Sequence, residues 1–188
     1  MSFNGLDNFS NDLTPKKICN LIELEYQPEI LSLCTNINTY FNNNPFSSEI
    51  PKATNEMAYL LFNRLHDELK HLFLKETGIV FPYIIKKYTG RAKTSNEDCI
   101  DSNVSKAVHQ NQEVIIDLIE KIRALLNGFT IEPEWNKELK KCIARLFILE
   151  TKILEWIHIE QNFLYPKVTV QNKAYLHRPN NFSVFSLN

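Results

Sequence analysis

Apolar positions recur at steps of three and four along four stretches of the chain, the spacing that lines one face of an α-helix. Ile30, Cys34, Ile37 and Phe41 form one run, and Leu61, Leu65, Leu69 and Leu72 a second. Ile116, Ile119, Ile122 and Leu126 form a third. Cys142, Leu146, Leu149, Ile153 and Trp156 form a fourth, in alternating steps of four and three. Thr14-Pro15 supplies an N-cap and a first-turn proline, so a first helix is expected from Pro15 to about Phe41. Pro28 lies inside it and predicts a kink or restart near Gln27. The second helix is expected from Pro51 to about Glu76, where Gly78 and Pro82 disturb its end, with a polar loop from Tyr88 to Asn103. The third is expected from Val104 to Asn127, stopped by Gly128, and the fourth from Pro133 to Tyr165. Only Lys167 to Val170 has the alternation of a short strand.

The steps of the fourth run are those of an antiparallel bundle seam. The expected fold is therefore all-α, an antiparallel up-down-up-down four-helix bundle over residues 15–167. A flexible N-terminal segment, 1–14, precedes it and a C-terminal tail, 168–188, follows.

Continuing each stripe at about 100° per residue carries a polar residue into the core from every helix. Glu76 lies four positions past Leu72, and Glu160 four past Trp156. His109 lies seven before Ile116 with Gln112 beside it, and Gln27 lies three before Ile30. The two acids open the same phrase, Glu76-Thr-Gly-Ile-Val-Phe-Pro82 and Glu160-Gln-Asn-Phe-Leu-Tyr-Pro166, 84 positions apart. A buried acid repeated on two helices is how helical bundles build metal sites. Leu72 and Trp156, four positions before each acid, stand where a partner ligand would belong and would occlude the site. Two carboxylates and one imidazole form a reduced donor set, with Gln27, Gln112 and His71 as auxiliary positions. His71 is one residue from the needed direction, about 100° around the helix. Without a metal, Glu76, Glu160, His109, Gln27 and Gln112 are expected to close into one hydrogen-bond network with His109 charged between the acids, because a buried carboxylate must protonate or pair.

Composition narrows the classes. A formal net charge of −1 gives no reason to expect nucleic acid or an anionic membrane as partner. The first residues lack the basic start and apolar run of a signal peptide, and no run of roughly 20 apolar residues is present. Cys19, Cys34, Cys99 and Cys142 occur singly, which reads as reduced thiols and a cytoplasmic setting.

The chain resembles the hemerythrin-like (HHE) domain and, within it, the repair-of-iron-centres family. The resemblance covers about residues 15–167 and is carried by His66 to Pro82, by Ile157 to Lys167 and by the helix from His109 to Thr130. It implies a non-haem di-iron site in which each hairpin's first helix gives a histidine and its second an H-x-x-x-E pair. Carried over, Glu76, His109 and Glu160 match as metal ligands, while Gln27, Leu72 and Trp156 replace the other three. The implied activity is iron handling for damaged iron–sulfur centres under nitrosative or oxidative stress. Half of the ligands being replaced, the expectation is a degenerate or reduced iron site rather than an intact di-iron centre. The alternative is a metal-free helical bundle that serves as a binding or interaction module with a protein partner.

Overall fold

A computed structural model describes residues 13–43, 49–88 and 102–168. Residues 1–12 of the N-terminal segment, Cys99, most of the polar loop after Tyr88 and the tail beyond Val168 lie outside the described residues. Those described fold into four long helices, with no strand among them: α1 (15–43), α2 (52–88), α3 (Ser102–Leu125) and α4 (137–168). Lys167 and Val168 are helical rather than the start of a strand.

Capping begins α1 and α4. Thr14 Oγ1 accepts from Lys17 N at 3.3 Å and Asn136 Oδ1 accepts from Leu139 N at 2.8 Å, each meeting an amide with no helical partner. The fourth helix accordingly starts at Lys137 and not at Pro133, which lies in a turn. Past Leu125 the backbone turns left-handed at Asn127, Gly128 and Phe129, with φ of 50°, 69° and 62°. Such a backbone is strained for a bulky residue, and the buried Phe129 ring offsets that cost.

Three of these helices contain one π turn each, at Ile22–Tyr26, Glu76–Val80 and Glu160–Leu164. The three share one register. A proline follows six positions after the first residue of each turn: Pro28, Pro82 and Pro166. The residue before each proline donates its backbone N–H to the carbonyl five positions back: Gln27 to Ile22, Phe81 to Glu76 and Tyr165 to Glu160. Proline has no N–H, and its ring collides with the carbonyl four positions back in an α-helix. Widening the preceding turn moves that carbonyl aside and lets the helix continue. Thus α1 continues past Pro28 through a π turn without a break in the helix, and α2 runs twelve residues beyond Glu76, to Tyr88.

The same turns keep one face inside. Positions five and eight residues past the start of each turn are buried, namely Gln27 and Ile30, Phe81 and Ile84, and Tyr165 and Val168, with Val80 and Leu164 buried beside them. Elsewhere the steps are three and four, as in Ala58, Phe62, Leu65, Leu69, Leu72, Glu76. In the core, α2 packs on α3, α1 on α4, and α1 on α2. The first turns of α1 lie against the last of α2 and against the π turn of α4. Tyr88 Oη donates to Lys167 O at 2.6 Å and Lys167 Nζ to Leu13 O at 2.7 Å, closing that end. Arg123 and Glu150, 3.1 Å apart, tie α3 to α4. Cys19, Cys34 and Cys142 are buried free thiols.

Candidate functional site

Both acids of the repeated phrase are fully enclosed, and each is the first residue of its π turn. Each meets one glutamine from the other helix of its own hairpin. Gln27 on α1 donates through Nε2 to Glu76 Oε2 at 2.9 Å, and Gln112 on α3 donates through Nε2 to Glu160 Oε2 at 2.5 Å. The pairs span 49 and 48 positions, so the two hairpins repeat one amide-to-carboxyl bond. The other oxygen of each acid, Oε1, has no hydrogen-bond partner among the described residues. Neither does Trp156 Nε1, which lies close enough to Glu160 to favour its anion without reaching hydrogen-bond geometry.

Enclosure governs the protonation of these groups. Burial pushes the Glu160 carboxyl from 4.5 up to about 8, against the opposing pull of Trp156 and Gln112. Burial also raises Glu76 well above the usual carboxylate range, and the charge of Glu160 raises it further, outweighing the Gln27 bond. One amide N–H each does not replace the hydration two buried carboxylates have lost, so enclosure favours the protonated form of both. Cys19 and Tyr165 lie within reach of the same acids. Burial first, and then the charge of Glu160, pushes the Cys19 thiol up to about 12 and raises the Tyr165 phenol in the same sense.

His109 does not join this group. Its side chain is 55% exposed, with Nε2 3.3 Å from Glu113 Oε1 and Nδ1 3.0 Å from Gln161 Nε2. The expected inward histidine is corrected to Gln112. The inner stripe of α3 is Val108, Gln112, Ile115, Ile119 and Ile122, and Ile116, from which the direction of His109 was projected, stands at its edge. Gln27, Glu76, Leu72, Trp156 and Glu160 all lie inside as expected. His71 is exposed on the rim of a groove of about 270 Å³, shared with Glu68, Lys75 and Asn111, that has Leu72 among its lining residues. His158 is exposed as well, with Nδ1 3.0 Å from Asn162.

These donors do not fit a di-iron centre. Leu72 and Trp156, at the positions where the resemblance implies histidines, are buried side chains that ligate nothing, and Trp156 packs edge-on against Phe73, ring centroids 4.9 Å apart. Gln27 and Gln112 turn N–H groups, not oxygens, towards the acids. Iron sites of this kind use imidazole with carboxylate, and no imidazole faces these acids. Among the described residues, no three histidine, cysteine, aspartate or glutamate side chains gather so as to hold a metal ion.

Sequence periodicity found the acids and missed the π turns. A legible signal was present. The tetrapeptides Gln27-Pro-Glu-Ile30, Phe81-Pro-Tyr-Ile84 and Tyr165-Pro-Lys-Val168 repeat a large side chain, proline, any residue and a β-branched residue. In each, the first and fourth positions are buried five and eight residues after the turn begins.

No helix among the described residues is long and apolar enough to cross a membrane. Compared with known proteins, the chain matches no family model and no curated protein.

Proposed function

We propose that this chain is an up-down-up-down bundle of the hemerythrin-like kind whose core holds a hydrogen-bonded acid pair in place of a metal, and that it works as a binding module. One observation carries the reading: each acid accepts from a glutamine of its own hairpin, while Leu72 and Trp156 fill the neighbouring ligand positions. A core arranged this way has neither the open coordination position nor the imidazoles that oxygen or nitric oxide chemistry at iron requires. Binding remains as the function for which the surface is equipped. The outer side of α4 leaves Phe147, Ile148 and Leu154 in solvent, side chains that a protein partner would bury.

A reduced metal site is the competing reading, and the two unpartnered oxygens, Glu76 Oε1 and Glu160 Oε1, favour it. On that reading the chain keeps the iron handling that the resemblance implies, with Glu76 and Glu160 as ligands.

Restoring the missing ligands tests the placement. Leu72→His with Trp156→His should gain iron on anaerobic loading, with a ligand-to-metal absorption band absent from the parent chain. A folded double variant that takes up no iron would show that these positions do not match the family's ligand positions.

A further inference from the structure

The Gln112–Glu160 pair continues outward to the surface. With Nε2 given to Glu160, Gln112 has Oε1 free to accept, and Gln161 Nε2 donates to it at 2.9 Å. The same Gln161 nitrogen lies 3.0 Å from His109 Nδ1. An amide nitrogen carries two N–H bonds and accepts none, so His109 Nδ1 is the acceptor and its ring proton sits on Nε2, facing Glu113. Four side chains thus run in file from a half-exposed imidazole to a fully buried carboxyl. Gln27, the matching amide of the first hairpin, has no such file among the described residues.

We propose that Gln161 is a positioning residue through which the surface imidazole of His109 fixes the orientation of the Gln112 amide, and so decides whether Glu160 keeps its donor. The two ends of an amide are nearly the same size, and their neighbours decide which way it points. Turned over, Gln112 would set its N–H against the N–H of Gln161 whatever the protonation of Glu160, and its oxygen against Glu160 Oε2 whenever that atom carries no proton. Gln161 is held in turn, since reversing it would face its oxygen to two acceptors, Gln112 Oε1 and His109 Nδ1. A group that engages His109 Nδ1 from outside removes one of the two acceptors that lock Gln161, and the core amide loosens. The bundle therefore carries a lever from the α3/α4 surface to the acid pair, built only from hydrogen bonds that depend on one another. The proposal rests on the metal-free reading, because a metal on Glu160 would orient Gln112 by itself.

The test is hydrogen exchange of the side-chain amides of Gln112 and Gln27 by nuclear magnetic resonance in the full chain, with metal content measured on the same samples. Gln161→Leu should speed exchange at Gln112 on the order of tenfold, as loss of one part-buried hydrogen bond implies, and leave Gln27 unchanged. His109→Ala, a surface change, should act in the same direction but more weakly, and His109→Gln, which restores an acceptor, should return it towards the parent value. Unchanged Gln112 exchange in Gln161→Leu, equal acceleration at Gln27, or a His109 proton found on Nδ1 would each overturn the lever. Stoichiometric metal would instead overturn the metal-free reading, and is told apart by the metal assay alone.

Discussion

Replacing Glu160 by Gln should make the fold more stable in alkali, although it alters a fully buried, hydrogen-bonded side chain. The folded state raises this carboxyl from 4.5 to about 8, so it binds the proton more tightly than the unfolded chain does. Glu160 therefore costs nothing below about pH 4.5, destabilises increasingly as pH rises towards 8, and reaches its full cost above that. At about 1.4 kcal/mol per pH unit, the interval from 4.5 to about 8 corresponds to roughly 5 kcal/mol. A typical domain is stable by only about 5–15 kcal/mol, so the effect is a large fraction of the whole. Glu76 is raised too and adds a loss of the same sign. In Glu160→Gln the amide oxygen can take the place of Oε2 and accept from Gln112, and the neighbouring charge that raises Glu76 is gone. Urea unfolding followed by tryptophan fluorescence at about pH 5 and pH 9 reads both ends of the titration. The variant should lie within about 1 kcal/mol of the parent at the lower pH and exceed it by several kcal/mol at the higher. Equal stability at both pH values, or a variant weaker than the parent in alkali, would refute the reasoning.

Three further outcomes follow from the same geometry. Gln27→Leu keeps most of the volume but removes the one donor that Glu76 has among the described residues, and should cost about 1–3 kcal/mol near neutral pH in the same urea assay. Because the π turn of α2 also serves the buried step from Glu76 to Phe81, Pro82→Ala should retain it. A crystal structure of that variant would then still show Phe81 N donating to Glu76 O, whereas a bond to Thr77 O would assign the turn to proline alone. Burial pushes the thiols of Cys19, Cys34 and Cys142 up to about 12, so these three should resist a thiol reagent at neutral pH until the chain unfolds. Reaction of two or more thiols in the folded protein would contradict their burial.

Much of the core was readable from spacing, because a helix face obeys fixed arithmetic wherever the helix is regular. Leu72, Glu76, Trp156 and Glu160 continue uninterrupted runs of threes and fours, and all four lie inside. Where the helix widens, the arithmetic changes. Gly78 and Pro82 read as an ending of α2, but a π turn absorbs the proline and carries the helix on to Tyr88. His109 was misplaced for a smaller reason. Ile115 and Ile116 are both apolar, and only packing reveals that Ile115 is central. Choosing its neighbour turns the projected face enough to exchange His109 for Gln112. That exchange matters most for the chemistry, since it replaces a metal-binding imidazole with an amide donor.

Metal content measures the proposed acid-pair core most directly. The full chain, purified without chelators and loaded anaerobically with ferrous iron, should retain iron only at background levels and show no ligand-to-metal absorption. Near-stoichiometric iron that disappears in Glu160→Ala would contradict a metal-free core and restore Glu76 and Glu160 as ligands.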